Sequence, residues 1–171
     1  SGVVVGLQGE SFESFCAQTA EILAAKPEGT MLTAAIYEAY ADGVRERSAL
    51  AGVRCVLSGE GARPTLFQVS ASQFLAQPVL HEELFGPSAV LVVCEGFDEM
   101  KQVARSLEGQ LTATVHFSAS DVEQVRELLP ILQRIAGRVV ANGFPTGVEV
   151  SPAIQHGGPW PATTDPRFTS V

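Results

Sequence analysis

The feature that most constrains this chain is a repeated change of hydrophobic period. Short β-branched runs alternate with longer segments in which apolar residues recur every three or four positions. Val3-Val4-Val5-Gly6-Leu7 opens the pattern as a buried strand. Phe12, Phe15, Cys16, Thr19, Ile22 and Leu23 follow at helical spacing, and Pro27 stops them. Ile36, Tyr37, Tyr40 and Val44 mark a second helix that closes near Gly52. Residues 53–57 read as a strand, ended by Ser58-Gly59-Glu60-Gly61. Residues 64–69 alternate, which predicts a half-buried strand. An irregular stretch then runs to Pro87, and residues 89–93 form a continuous apolar run, the signature of a central strand. Phe97, Met100, Lys101, Ala104 and Leu107 predict a third helix, and residues 112–117 another strand. Val122, Val125, Leu128, Leu129, Leu132 and Ile135 predict a fourth helix, which Pro130 is expected to kink or split. Residues 138–141 are the last strand. From Asn142 to the end no period is visible, and half of the 10 prolines fall there. A loop that long is usually functional or pinned to something else.

Strands separated by helices of this length make βαβ units. The expected fold class is therefore α/β, with a mostly parallel sheet and helices on both faces. The 171 residues suit one ordinary domain, and no linker, charge run or internal repeat divides them. Nineteen acidic against 11 basic residues leave a net charge of −8, which gives no general attraction to nucleic acid or to an anionic membrane surface. No apolar run approaches the ~20 residues of a membrane helix. The sequence opens directly on a strand, so no basic leader or cleavage pattern is expected before Ser1. Cys16, Cys55 and Cys94 are an odd number, widely spaced and without a CxxC pair, so they read as buried free thiols in a reducing compartment. A cytoplasmic protein without membrane or nucleic-acid partners is the expectation.

Three stretches carry candidate chemistry. His81-Glu82-Glu83-Leu84-Phe85-Gly86-Pro87 stands directly before the most apolar strand. A carboxylate there can accept two hydrogen bonds from a vicinal diol such as a ribose, and the neighbouring aromatic can pack on a sugar or a flat ring. An acidic turn closed by Gly-Pro is the plainer alternative. Asn142-Gly143-Phe144-Pro145-Thr146-Gly147 falls at the carboxyl end of the last strand, where ligands sit in open α/β sheets. A strand-ending turn would look the same. Gln155-His156-Gly157-Gly158-Pro159-Trp160-Pro161 pairs a potential base with a backbone that permits close approach. No partner stands at metal-ligand spacing to His156, so no metal site is expected. His81 and His116 read as structural, the latter within a strand. Nucleotide-binding glycine fingerprints, nucleophile elbows and zinc-protease helices are all missing.

The residues Glu82-Glu83-Leu84-Phe85-Gly86-Pro87 resemble the E-x-F-G-P motif of the aldehyde dehydrogenase superfamily. The order around them fits as well. Pro64-Thr65-Leu66 is similar to the strand before that motif, and residues 111–117 to the strand after it. Gly137-Arg138-Val139-Val140-Ala141-Asn142 is similar to the family's G-x-V-x-V-N strand, and His156-Gly157-Gly158 stands where the family has F-G-G. Residues 109–114, 142–148 and 156–164 together resemble the 2-oxoglutarate semialdehyde (2,5-dioxovalerate) dehydrogenases of that superfamily. Two departures are that residues 64–83 run slightly long and that Pro159-Trp160-Pro161-Ala162 replaces the usual K-x-S-G.

The resemblance implies an NAD- or NADP-dependent oxidation of the semialdehyde to 2-oxoglutarate. In it a thiolate attacks the aldehyde, hydride leaves for the nicotinamide, and a glutamate-activated water hydrolyses the thioester. By the same resemblance Glu83 binds the nicotinamide ribose and Phe85 packs beside it. Asn142, Phe144, Pro145 and Thr146 line the aldehyde pocket, and the loop of His156 closes it. The family's nucleophile context G-Q-x-C is not in this sequence, and no cysteine here has it. The cysteine and the glutamate base are therefore expected upstream of Ser1. The whole of residues 1–171 is expected to be a catalytic-domain fragment, inactive alone, without its cofactor-binding domain and without the arm that pairs subunits in a homo-oligomer. Two other classes stay open: a freestanding α/β binding module without chemistry, and an acyl-CoA or acyl-phosphate reductase of the same superfamily.

Overall fold

The computed structural model describes residues 2–59 and 61–144. The chain divides into two compact units, Ser1–Val103 and Ala104–Val171. No composition change announces this division, because it falls inside a helix.

The first unit holds β1 (Val3–Leu7), α1 (Glu10–Ala24), α2 (Ala34–Ser48), β2 (Arg54–Leu57), β3 (Thr65–Ser70), α3 (Ala71–Ala76), a single 3-10 turn (Pro78–Leu80) and β4 (Ser88–Cys94), followed by the start of α4 (Phe97–Ser106). Its sheet has the order β1-β4-β3-β2. β4 pairs in parallel with β1 (Val3 opposite Val90) and with β3 (Phe67 opposite Val90). β2 runs antiparallel to β3 and is irregular between Cys55 and Leu57. The apolar run of β4 is explained by its place. With strands on both sides, Val90, Leu91 and Val92 are at most 2% exposed. β3 departs from the half-buried expectation, since Leu66 and Phe67 point to opposite faces and both are buried. Alternation of polar and apolar residues reports one covered face. It does not reveal that β3 lies between two partners.

The helix starts follow local chemistry. The Thr33 hydroxyl accepts the Ile36 N–H at 3.2 Å and begins α2. The Ser70 hydroxyl accepts the Gln73 N–H at 3.3 Å and begins α3, which occupies part of the stretch expected to be irregular. Six residues are too few for a helical period to show.

The second unit is one βαβ turn. β5 (Gln110–Val115) and β6 (Ala136–Ala141) pair in parallel, joined through a 3-10 turn (Ala119–Asp121) and α5 (Val122–Ile135). Leu128 and Leu132, one turn apart on α5, are its buried residues. The expected split at Pro130 does not occur, and α5 is continuous through it. Both Pro130 and Arg126 are exposed, so the Arg126 carbonyl that loses its donor faces water. The final two strands begin two residues earlier than the sequence predicts. Among the described residues no helix is long and apolar enough to cross a membrane.

Candidate functional site

The segment 82–87 joins the Pro78–Leu80 turn to β4. Glu83 and Phe85 are exposed on it, Phe85 to 67%. What holds the segment lies behind it, on one face of α2. Tyr40, Gly43 and Arg47 recur there at three- and four-residue steps. The Tyr40 hydroxyl lies 3.0 Å from the Arg63 carbonyl, 3.1 Å from Thr65 Oγ1 and 3.2 Å from the Pro87 carbonyl. It has one proton, which goes to a carbonyl, while the Thr65 hydroxyl donates to the phenol oxygen. The Pro87 carbonyl also accepts the Thr65 N–H at 2.9 Å, tying the segment's end to β3. Burial, opposed by the Thr65 bond, raises the Tyr40 pKa, so the phenol stays protonated.

Gly43 and Gly86 allow the close approach. A Cβ on Gly43 would come within 2.4 Å of Leu84 Cδ1, and one on Gly86 within 2.4 Å of the Tyr40 ring. Arg47 Nη2 donates to the Val79 carbonyl at 3.1 Å and to the Glu82 carbonyl at 2.7 Å. Burial lowers the Arg47 pKa, and the Glu82 and Glu46 carboxylates draw it back up. The sequence gives no sign of these contacts beyond the helical spacing of Tyr40 and Arg47.

His81 is structural, as expected. Its ring stacks on Phe74 at 4.3 Å between centroids, and Nε2 donates to the Phe74 carbonyl at 2.8 Å. A separate cleft of about 530 Å³ in the first unit is lined by Lys26, Glu28, Tyr37 and Arg63 among others, and contains none of the predicted site residues.

In the second unit the end of β6 carries Asn142 in the left-handed region, at φ 49°. Its N–H donates to the Val115 carbonyl at 2.9 Å, and its Oδ1 accepts the Phe117 N–H at 2.8 Å. Asn142 therefore ties the ends of β5 and β6 together. Phe144 is 79% exposed, and its ring lies 5.4 Å from that of His116. His116 departs from the strand expectation. It stands one residue past β5, exposed, so it joins Phe144 rather than the core. Pro145, Thr146 and His156 lie outside the described residues.

Two of the three cysteine thiols are held away from the ionised form a nucleophile needs. Cys16 and Cys94 are buried, and burial raises both pKa values, that of Cys94 to about 11. Cys55 departs from the buried expectation and is half-buried on β2. Among the described residues no group of three His, Cys, Asp or Glu side chains could hold a metal ion.

No protein-family model matches the chain. It is 45% identical over 176 residues to α-ketoglutaric semialdehyde dehydrogenase 2 of Azospirillum brasilense, and 38% identical over 177 residues to α-ketoglutaric semialdehyde dehydrogenase of Acinetobacter baylyi. Each alignment covers 99% of this chain, which spans about a third (34%) of the length of each relative. In structure it is similar to the Δ-pyrroline-5-carboxylate dehydrogenase of Mycobacterium tuberculosis bound with NAD. There the TM-score is 0.72 at 19% identity, with 92% of this chain and 31% of that one covered. Along its whole length the chain is similar in sequence to about a third of two α-ketoglutaric semialdehyde dehydrogenases, and in fold to part of a Δ-pyrroline-5-carboxylate dehydrogenase.

Proposed function

We propose that this chain is the part of an NAD- or NADP-dependent dehydrogenase that braces the nicotinamide ribose and lines the aldehyde pocket, in an enzyme oxidising 2-oxoglutarate semialdehyde to 2-oxoglutarate. The observation that carries this reading is the segment 82–87, which offers an exposed carboxylate and an exposed aromatic ring two residues apart on a backbone fixed from behind. The relatives' shared name supports this choice of substrate.

The residues present fit the cofactor. The Glu83 carboxylate can accept both hydroxyls of a ribose diol, and the Phe85 face can cover the sugar. When bound, the nicotinamide takes up the hydride of the oxidation. Asn142 sets the direction in which the chain leaves β6, and Phe144 borders the aldehyde. By the resemblance alone, Pro145 and Thr146 line the same pocket and the loop of His156 closes it. The nucleophilic thiolate and the base that activates water are placed elsewhere in the protein: burial keeps Cys16 and Cys94 protonated, and no cysteine here, Cys55 included, stands in the G-Q-x-C context of the resembled family. A subunit-pairing arm and a separate cofactor-binding domain belong to the same proposal.

The test uses the full-length protein with 2-oxoglutarate semialdehyde and either nucleotide. It forms 2-oxoglutarate, while the 171-residue chain alone forms none. Glu83→Gln raises the cofactor KM roughly 10- to 100-fold, the range of one or two charge-assisted hydrogen bonds. Cysteine-dependent turnover by the chain alone would overturn the division of labour. An unchanged cofactor KM in Glu83→Gln would remove the ribose assignment.

A further inference from the structure

We propose that Arg47 is a positioning residue for the cofactor: its buried guanidinium sets the direction from which Glu83 meets the ribose. The inference rests on the assignment of Glu83 and Phe85 to the cofactor.

Arg45 and Arg47 share the last turn of α2 and have opposite fates. The Arg45 side chain is 76% exposed and pairs with Asp42. Its charge near the helix end answers the macrodipole, as a last-turn cation commonly does. Arg47 is only 6% exposed. A guanidinium loses its hydration there and regains it only in part through two main-chain carbonyls, at 3.1 and 2.7 Å. Were burial the sole requirement, an apolar side chain of similar length would fill the space without that desolvation. What the guanidinium adds is direction.

The Glu82 carbonyl belongs to the same planar peptide unit as the nitrogen and Cα of Glu83. Fixing that oxygen fixes the plane from which the Glu83 side chain departs. On the far side of Glu83, the Leu84 side chain lies against Gly43, and its Cδ1 would have to move to admit a Cβ there. Glu83 thus stands between a carbonyl held by Arg47 and a leucine resting on α2, and is itself an exposed residue. Arg47 touches neither cofactor nor substrate in this arrangement and acts through Glu83. A carboxylate that accepts two hydroxyls at once needs this kind of control, since a small rotation loses one of the two bonds.

The experiment is a set of cofactor titrations on the full-length enzyme carrying Arg47→Met, Arg47→Lys, Glu83→Gln, and Arg47→Met with Glu83→Gln, read both as the Kd for reduced nucleotide from its fluorescence without aldehyde, in which the same fold-changes are expected, and as the steady-state cofactor KM. Arg47→Met is expected to raise the cofactor KM about tenfold, with kcat and the aldehyde KM within about twofold. Arg47→Lys, which keeps a charged donor, returns the cofactor KM to within about threefold of the parent. The double variant is no worse than Glu83→Gln alone, because the clamp acts through the residue already lost. An unchanged cofactor KM in Arg47→Met, with or without a fall in melting temperature, overturns the proposal. So does a double variant whose effects multiply. Arg47→Gln carries the same titration where Arg47→Met fails to fold. A Glu83→Gln enzyme with the parent's cofactor KM sinks the ribose assignment itself, whereas a changed Glu83→Gln beside an unchanged Arg47→Met sinks the clamp alone.

Discussion

Residues 82–87 and residues 142–144 both present exposed groups assigned to ligand binding, yet they are held by different means. The first segment rests on buried side chains of α2: Tyr40 at 2% exposure, Arg47 at 6%, and the groove at Gly43. The second is secured at an exposed strand end by one asparagine, which uses its own N–H and side-chain oxygen to join β5 to β6. The contrast has a physical meaning. A brace built from buried groups excludes water from its hydrogen bonds and resists small displacements, because its packing has no room to give. A brace at an exposed turn competes with solvent and yields more easily. In the proposed function the carboxylate that meets the cofactor has the first kind of support, and the loop beside the aldehyde has the second.

The largest effect that separates the two should come from Tyr40. Tyr40→Ala removes a fully buried ring and is expected to cost about 3–5 kcal/mol. Tyr40→Phe keeps the ring and removes the hydroxyl that the Arg63 carbonyl and the Thr65 hydroxyl use as a partner, for a cost of about 1–3 kcal/mol. Urea unfolding of the full-length protein measures both. A Tyr40→Phe protein as stable as the parent would mean that apolar packing alone holds the segment, and the comparison would lose its polar half.

The same contrast explains how much the sequence discloses. Strands and long helices are legible because their periods reflect burial, and β1, α1, α2, β4 and α5 fall where those periods put them. Glu83 and Phe85 are proposed as site residues from the motif that contains them, and the structure shows both exposed. Their supports are not legible in the sequence. Arg47 is a charged residue in a last helical turn, a position at which exposure is the ordinary outcome, and only the fold shows that the Val79 and Glu82 carbonyls wait for it. Pairing is equally hidden. The alternation in residues 64–69 gives no hint that β3 takes β2 and β4 as partners, because partner choice is set at long range. Pro130 misleads for the opposite reason. The rule against a helical proline assumes a carbonyl with nowhere to turn, and here that carbonyl has water.

Asn142 gives a smaller effect. Asn142→Ala removes the acceptor for the Phe117 N–H and places an ordinary side chain in the left-handed region, at an expected cost of about 1–2 kcal/mol. Asn142→Gly suits the backbone and loses only the side-chain bond, so it should cost less than the alanine variant. Hydrogen exchange at the Phe117 amide reads the brace directly, with faster exchange expected in both variants. Parental protection in Asn142→Ala would show that the strand ends are joined by the Val115 carbonyl contact alone.

The smallest effect lies at the start of α5, on the more exposed side of the comparison. Asp121 accepts the Ser118 N–H at 2.9 Å and the Ser118 hydroxyl at 2.6 Å. These bonds, the hydroxyl's first, lower its pKa below the ordinary aspartate value, although the carboxylate is fully exposed. The sign follows from linkage. A carboxylate whose folded pKa is depressed stabilises the fold above its unfolded pKa, near about pH 4, and loses that contribution as pH falls through the lower folded value. The parent should therefore exceed Asp121→Asn in stability at neutral pH, and the difference should shrink below about pH 4 and vanish once both states are protonated. Thermal unfolding of the two proteins at neutral and strongly acidic pH provides the check. Salt should weaken the neutral-pH difference, since the charge also faces the amino end of α5 through solvent. The Tyr40 effect, which involves no group that titrates in that range, should be indifferent to both pH and salt. A difference between parent and Asp121→Asn that persists unchanged into strong acid would assign the stabilisation to the shape of the turn rather than to the charge.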